Sequence, residues 1–490
     1  MIPEGPQQGS PLDRRRLGVL LHPTSLPGPG EAGTLGPNAF HFVDFLRYAG
    51  ISVWQVLPLG PTHADRSPYQ CTSAHAGDPK LINLKRLQEW GWLVEPDFQH
   101  PQAALRQARL AFQQRVSAAE RADYADFCEQ QADWLSDFAL FCALKREFAE
   151  EPWWQWPQAL RDREPAALAT YRERLATAIE QVRFEQYVFA CQWRDIKHYA
   201  NERGVLLFGD MPIFVALDSA DVWAQRELFL LDAQGQPTVV AGVPPDYFSA
   251  TGQLWGNPHY DWERMRADEF AWWQRRITSQ LGLFDLIRID HFRGFEASWA
   301  IPRDETTAMN GQWVEAPGAE LFEHLLSELG QLPLVAEDLG VITDEVEALR
   351  DQFALPGMKI LQFAFGGGAD NPYLAHHHIQ NSVVYTGTHD NNTTLGWFAE
   401  IDEAEREHVR EYLGYPQEPM PWPLIRQALA SVARLTIIPL QDFMGLGAQA
   451  RMNTPGTVGG RNWRWRFDWE DIPKDTVERI RQLVHLYDRD

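Results

Sequence analysis

Short apolar runs rich in leucine, isoleucine and valine recur along this chain, and longer stretches with helical periodicity separate most of them. Eight such runs lie at residues 18–21, 51–57, 204–210, 284–290, 333–337, 358–363, 383–386 and 435–438. Strands that alternate with helices form parallel β-α-β units. Eight of these units favour a closed barrel over an open, doubly wound sheet. We therefore predict an α/β fold, a (β/α)8 TIM barrel.

The eight runs are unevenly spaced, and the long gaps locate large insertions. Residues from about 81 to 201 are charged, rich in alanine and periodic, which predicts a mainly helical insertion between the second and third strands. Residues 212–273 are irregular and contain many glycines and prolines, which is typical of a substrate loop. Residues 1–16 predict a flexible N-terminal tail, and residues 17–490 then form a single barrel.

The formal net charge of −23 argues against nucleic acid and anionic membranes as partners, because both attract basic surfaces. A neutral ligand fits this charge better. No apolar stretch approaches the roughly 20 residues of a membrane span. The four cysteines have no spacing typical of a disulfide framework or a zinc site. We predict a cytoplasmic protein, and we expect a monomer.

The fourth run, FDLIRID at residues 284–290, carries two charges on an otherwise apolar strand. Because side chains alternate along a strand, Arg288 and Asp290 share one face, and Ile287 and Ile289 share the other. Charges there are costly unless they are paired, and strand ends line the active site of a barrel. Arg288 should keep Asp290 ionised, as a nucleophile requires. The alternative is a buried ion pair that only closes the barrel.

Three further strands lead into acidic residues. The fifth ends in Glu337 and Asp338, of which we expect one to enter the site and the other to cap the following helix. The seventh leads into His389 and Asp390, for which the alternative is a simple polar turn. The third ends at Asp210. Together with the fourth strand, they would bring four carboxylates to one rim of the barrel.

Paired carboxylates that flank a glycosidic bond are the basis of retaining glycosidase chemistry. One must be ionised to attack, and the other protonated to release the leaving oxygen, so their surroundings must separate their pKa values. We expect no metal and no cofactor. Adjacent histidines at 376–378 point in different directions, and the glycines at 366–368 lack the lysine of a phosphate loop.

The motifs around these residues resemble one family. They are SPYQ at 67–70, GDMPI at 209–213, DSADVW at 218–223, GVPPDYFS at 242–249, GQLWGN at 252–257, RIDHFRG at 288–294, AEDLG at 336–340, GTHDN at 387–391 and NTPG at 453–456. In this order they are similar to the amylomaltase-type 4-α-glucanotransferases of glycoside hydrolase family 77, within the α-amylase clan. The resemblance extends from about residue 16 to the C-terminus.

The resemblance implies a role for each matching residue. Asp290 matches the nucleophile, Glu337 the general acid/base and Asp390 the carboxylate that stabilises the transition state. Residues that match glucan contacts are Ser67, Tyr69, Asp210, Tyr247, Phe248, Gln253, Trp255, Arg288, His389 and Asn453. Tyr247 and Phe248 would form a lid that keeps water from the acceptor side.

We therefore predict a transferase that moves α-1,4-glucan segments between maltooligosaccharides or starch-type glucans and glucose. The predicted reaction is a double displacement with retention, for which the two carboxyls should lie roughly 5–5.5 Å apart. One alternative is an α-1,4-glucan hydrolase that uses the same carboxylates. A more distant alternative is a glucan-binding protein without catalytic activity.

Overall fold

The computed structural model describes residues 11–245 and 249–490. Its strands are β1 (Arg16–Leu20), β2 (Val53–Gln55), β3 (Leu206–Pro212), β4 (Val239–Val243), β5 (Gln253–Pro258), β6 (Leu286–Asp290), β7 (Ala297–Pro302), β8 (Gln312–Glu315), β9 (Leu334–Ala336), β10 (Gly357–Ile360), β11 (Ser382–Tyr385) and β12 (Leu435–Pro439). Its α-helices are α1 (Pro37–Ala49), α2 (Leu84–Glu89), α3 (Pro101–Arg115), α4 (Ala118–Gln130), α5 (Ala132–Glu147), α6 (Gln158–Arg161), α7 (Pro165–Arg174), α8 (Ala176–Glu202), α9 (Ala220–Ala224), α10 (Trp262–Ala267), α11 (Ala271–Leu283), α12 (Gly318–Leu329), α13 (Asp344–Gln352), α14 (Thr394–Glu400), α15 (Glu403–Tyr412), α16 (Trp422–Ala430), α17 (Leu440–Phe443) and α18 (Thr476–Leu486).

Eight parallel strands form the central sheet, in the order β10-β11-β12-β1-β2-β3-β6-β9. They are the eight strands expected from the apolar runs. The two ends of the sheet approach each other, because Ala336 N at the end of β9 donates to Pro356 O before β10 at 2.9 Å. The sheet is therefore a nearly closed barrel surrounded by helices, and the predicted (β/α)8 fold is confirmed.

The two faces of the barrel sheet pack against different layers. Inward-facing residues form one buried cluster that includes Leu20, Val53, Phe208, Leu286, Val335, Met358, Ile360, Val383, Tyr385, Leu435 and Ile437. Outward-facing residues such as Ile287 and Ile289 pack in the larger cluster shared with the helices. Because alternate residues of a strand share a face, Arg288 and Asp290 of β6 continue the inward row begun by Leu286. The interior thus changes from apolar to charged toward the C-terminal ends of the strands.

The long gap between β2 and β3 contains seven helices, α2 to α8. Helix α8, the longest, packs along the others and against the barrel. Helix α4 begins with a capping box, in which Ser117 and Glu120 each bond the other's backbone N–H. Alanine-rich periodicity and such start signals make this part of the chain readable as helix from its sequence.

The stretch 212–273 is more regular than its glycines and prolines suggest. It contributes β4 and β5 to a four-stranded antiparallel sheet in the order β5-β4-β7-β8. Gly242 allows β5 to approach β4, since a Cβ there would lie 2.2 Å from Gln253 O. The partner of β4 on its other side, β7, follows the fourth barrel strand. Short strands with a distant partner leave little periodicity in the local sequence.

Ordered structure at the N-terminal side of the barrel begins before residue 17, within the segment for which a flexible tail was expected. Arg15 donates to the carbonyls of Ser431 at 2.6 Å and Leu429 at 2.9 Å, and Arg16 is the first residue of β1.

Among the described helices, none combines the length and the apolar character needed to cross a membrane.

Gly18 is required by the close packing inside the barrel. A Cβ at this position would lie 2.3 Å from Ile437 Cδ1 and 2.9 Å from Val53 Cβ. We expect Gly18→Ala to lower the free energy of unfolding by about 1–3 kcal/mol, the usual cost of overpacking a core. Urea denaturation followed by circular dichroism measures the change.

The matched control is Gly282→Ala in α11, where an added Cβ meets nothing within 4 Å. This variant should be at least as stable as the parent, because alanine favours a helix over glycine. Equal stability of the two variants would contradict the packing argument.

Candidate active site

Arg288 lies at the centre of the carboxylates that end the barrel strands. Its Nη1 donates to both oxygens of Asp210 at 2.8 and 2.9 Å, and its Nη2 lies 2.9 Å from Asp290 Oδ1. β3 and β6 are paired so that Asp210 is directly opposite Arg288. The Asp210 side chain has 0% exposure and that of Asp290 has 29%. Asp210 is therefore a buried support, whereas Asp290 opens to the cleft, which a purely structural ion pair does not require.

Glu337 follows β9 and is held by two backbone donors. Its Oε2 accepts from His291 N at 2.6 Å, and its Oε1 accepts from Leu339 N at 3.0 Å. His291 directly follows Asp290 and has a left-handed backbone, with φ 55°. That conformation is strained for a residue with a Cβ, and it accompanies the bond from His291 N to the carboxyl. The adjacent ends of β6 and β9 are thereby joined.

The two carboxyls differ in protonation. Burial raises the pKa of Glu337 to about 8, with the charge of Asp290 adding to the rise and Arg288 opposing it. Burial also raises the pKa of Asp290, but the direct ion pair with Arg288 opposes this rise more strongly than any other charge. Because the two groups interact, a proton near neutral pH belongs to the pair. It resides on Glu337, which has no cation in direct contact in the described structure.

Asp390 is ionised by its neighbours. Its Oδ1 accepts from Asn453 Nδ2 at 2.6 Å, and its Oδ2 lies 3.4 Å from His389 Nε2. Burial raises the pKa of Asp390, but His389, Asn453 and Arg288 outweigh it, and the net pKa is lowered to about 2. Burial lowers the pKa of His389, and Asp390 more than reverses this, so its pKa is raised.

The loop after β2 brings Tyr69 to the same rim. Tyr69 Oη donates to Asp210 Oδ2 at 2.7 Å, and its ring stacks on His389 with centroids 5.2 Å apart. Ser67 supports this loop, because its Oγ accepts from Tyr69 N at 3.4 Å while its own N–H donates to Asp65. Tyr69 therefore contacts a rim carboxylate directly, and Ser67 supports Tyr69.

Strand β5 brings Trp255 next to the catalytic strand β6. Trp255 meets the ring of His291 edge-on, with centroids 4.8 Å apart, and its Nε1 donates to Gln253 Oε1 at 3.2 Å. Trp255 therefore packs on the residue that follows Asp290. The expected lid residues, Tyr247 and Phe248, lie outside the described residues.

The expectation that one of the two acids after β9 caps the following helix is wrong. Asp338 accepts from Met358 N at 2.7 Å and from Arg350 Nη1 at 2.6 Å. It therefore ties the end of β9 to β10, the two strands at which the barrel sheet closes. Helix α13 begins farther along, after Thr343.

Two residues near the rim, His22 and Trp463, lie outside the sequence motifs that resemble the family. His22 follows β1 and lines the same cavity as His389. Burial lowers the pKa of His22 to about 3, so it is neutral. Trp463 packs against both Tyr69 and His389. Neither is charged or close in sequence to an acidic strand end, and only the fold brings them to the site.

The chain matches known proteins over nearly its whole length. The family model described as 4-alpha-glucanotransferase, of glycoside hydrolase family 77, matches residues 21–471. A 4-alpha-glucanotransferase of Synechocystis is 49% identical, with 98% of this chain and 99% of the relative covered. A 4-alpha-glucanotransferase of Thermus thermophilus is 48% identical, with 97% and 99% covered.

A solved structure gives the same result in three dimensions. The amylomaltase from Streptococcus agalactiae, in complex with acarbose, superposes with a TM-score of 0.93 at 38% identity, and 97% of this chain and 100% of that chain are covered. The chain belongs to glycoside hydrolase family 77, the 4-alpha-glucanotransferases.

Proposed function

We propose that this chain is a retaining 4-α-glucanotransferase that moves α-1,4-glucan segments between maltooligosaccharides, starch-type glucans and glucose. One observation supports it most directly: of two carboxyls at one rim, Asp290 is in direct contact with the Arg288 guanidinium, whereas Glu337 is held by backbone N–H groups. Burial gives Glu337 a pKa of about 8, while Asp290 is paired with Arg288 at 2.9 Å. A retaining mechanism needs one protonated and one ionised carboxyl.

The first half of the reaction cleaves the donor. The Asp290 carboxylate attacks the anomeric carbon, and the bond from that carbon to the leaving glycosyl oxygen breaks. Glu337 gives its proton to that oxygen, so the shortened glucan departs as an alcohol. The remaining segment is bound to Asp290 as an ester of inverted configuration.

The second half joins the acceptor. Glu337, now a carboxylate, takes the proton from the 4-hydroxyl of a second glucan or of glucose. The acceptor oxygen attacks the anomeric carbon, and Asp290 leaves as a carboxylate. The second inversion restores the α configuration, and both carboxyls return to their starting states.

The remaining groups of the rim stabilise positive charge and orient the sugar. Asp390, whose pKa is about 2, supplies a fixed negative charge near the oxocarbenium-like transition state. His389, Arg288 and Tyr69 present donors beside it. The residues proposed to contact the glucan are Ser67, Tyr69, Tyr247, Phe248, Gln253, Trp255, Arg288, His389 and Asn453. Asp210, expected as a further contact, has no exposed side-chain surface and acts through Arg288 and Tyr69 instead.

Transfer rather than hydrolysis is favoured by the relatives, which are named as glucanotransferases. An aromatic wall such as Trp255 offers a flat surface to a sugar acceptor, and closing such a site excludes water. A cytoplasmic location and a monomeric state accompany the proposal, and the former is supported by four free cysteine thiols.

Incubation with maltotriose tests the proposal. We expect glucose and longer oligomers at a constant number of reducing ends, because each transfer forms one glycosidic bond for every bond cleaved. Asp290→Asn should lower the rate by about 1,000-fold or more, since the nucleophile is lost. Chromatography of the products and a reducing-end assay measure both quantities.

The control for this variant is Asp304→Asn, at a side chain with 94% exposure, which should transfer at the parent rate. A rise in reducing ends in step with glucose would identify a hydrolase. Full activity of Asp290→Asn would refute the nucleophile assignment.

The pH dependence of kcat/KM tests the acid. Glu337 must carry a proton in the free enzyme, so kcat/KM should fall as the pH rises through about 8, the pKa that burial gives this group. Initial rates of glucose release between pH 5 and 10 measure this, with circular dichroism at each pH to show that the protein is folded. A rate that still rises above pH 9 would contradict the assignment.

The same buried acid has a cost in stability. Its pKa is about 8 in the folded protein against an ordinary value of 4.5, so between these values the unfolded chain loses a proton that the folded chain retains. Stability from this group is present below the lower pKa and is lost as pH rises toward the upper one, by up to about 1.4 kcal/mol per pH unit. Glu337→Gln should therefore gain stability relative to the parent from pH 5 to pH 8.

Urea denaturation at the two pH values measures this gain. Glu89→Gln, at an exposed position of α2, is the matched control and should show no comparable change. A stability difference for Glu337→Gln that is the same at both pH values would show that Glu337 does not titrate as described.

A further inference from the structure

Trp463 packs against the rim but takes no part in the two steps of the proposed reaction. Its ring centroid lies 5.9 Å from that of His389 and 6.1 Å from that of Tyr69, whose own centroids lie 5.2 Å apart. The three separations are similar, so each ring contacts the other two. Tyr69 and His389 each reach a carboxylate of the rim, Asp210 and Asp390 respectively. The indole packs against both rings.

The backbone of Trp463 is unusual for a residue with a large side chain. It is left-handed, with φ 63°, a conformation that clashes with a Cβ and costs free energy in any residue except glycine. Such strain persists only where the surroundings hold it in place, and it is concentrated at functional sites. The strained backbone of Trp463 therefore indicates that the contacts of its ring have a function.

The loop after β12 brings Trp463 back beside its own starting point. Asn462 is buried, and its Oδ1 accepts from Thr454 N at 3.1 Å while its Nδ2 donates to Thr457 O at 3.1 Å. Trp463 N then donates to Met452 O at 2.8 Å. The segment 454–462 is thus closed on itself, and residues 453 and 463 are neighbours.

The start of this loop is hydrogen-bonded to His389, which the indole contacts, and to its neighbour Asp390. Asn453 N donates to His389 O at 3.1 Å, and Asn453 Nδ2 donates to Asp390 Oδ1 at 2.6 Å. Arg451 Nη2 donates to Asp390 O at 2.6 Å. The backbone and the carboxylate of Asp390 are therefore held by hydrogen bonds, whereas the His389 imidazole is held from the side by the rings of Tyr69 and Trp463.

We propose that Trp463 is a positioning residue for glucan transfer, whose indole keeps the His389 imidazole against the Asp390 carboxylate. Without the indole, one of the two ring contacts that restrict rotation of the imidazole is lost. Asp390 then loses a charged neighbour, and the donor sugar loses an oriented imidazole. The inference rests on the proposed function, because it assigns a role at the same site.

Three substitutions separate this role from simple packing. Trp463→Phe keeps an aromatic ring against His389, Trp463→Leu keeps bulk without a ring, and Trp463→Gly suits the left-handed backbone but has no side chain. The kinetic constants with maltotriose and the thermal unfolding temperature are measured for each. We expect Trp463→Leu and Trp463→Gly to lower kcat by about 100-fold, the effect of a small misplacement of a catalytic group.

The conservative variant and a control complete the experiment. Trp463→Phe should retain kcat to within about threefold, and KM should change little in all three variants, because the other glucan contacts remain. Trp469→Leu removes another half-buried tryptophan, six residues farther along the chain, which packs on α1 instead. It should lower the unfolding temperature and leave kcat unchanged.

Each result decides between the two roles. Three results together support positioning. Trp463→Gly loses most of kcat, its unfolding temperature is no lower than that of Trp463→Leu, and Trp463→Phe retains kcat. Parent kcat in folded Trp463→Leu, or an equal loss in the Phe and Leu variants, overturns it. A parent enzyme without transfer activity would instead refute the proposed function itself.

Discussion

The buried guanidinium of Arg288 is the interaction on which the site depends. It binds both oxygens of Asp210 and one oxygen of Asp290, and these three groups lie on adjacent strands of the barrel. Removing one partner of a buried ion pair typically costs about 3–5 kcal/mol, because the remaining charge is left uncompensated. The loss of any one of the three charges would therefore destabilise the other two. Arg288 therefore joins β6 to β3 through the fully buried Asp210, and the same cation keeps Asp290, which opens to the cleft, ready as a nucleophile.

The position of this cation also determines which carboxyl carries the proton. Arg288 contacts Asp290 directly and affects Glu337 only from a distance, so burial dominates at Glu337 and raises its pKa to about 8. Two backbone N–H donors hold the Glu337 carboxyl without a full positive charge, which orients it and leaves it able to titrate. The acid and the nucleophile thus differ because of where a single guanidinium lies, although both lie at the same rim.

The sequence predicted those parts of the molecule whose cause is local. Alternation along β6 placed Arg288 and Asp290 on the inward face, and the apolar runs located all eight barrel strands. It failed at Asp338, because two adjacent acids after a strand look like a helix cap, and only the closing of the barrel brings Met358 N and Arg350 to that carboxylate. The regular pairing of β4 with β7 was hidden for the same reason.

The barrel strands and the loops that follow them contribute different residues to the site. Strands β3 and β6 carry Asp210, Arg288 and Asp290, and Glu337 directly follows β9, which is why alternation along the strands reveals most of the charged groups. The loops that orient these groups contain the strained positions, such as His291 and Trp463. A well-packed barrel can tolerate that strain, since each such position costs about 1–3 kcal/mol against a large buried core. The carboxylates can therefore be found from the sequence, whereas the left-handed backbone at His291 and Trp463, beside them, cannot.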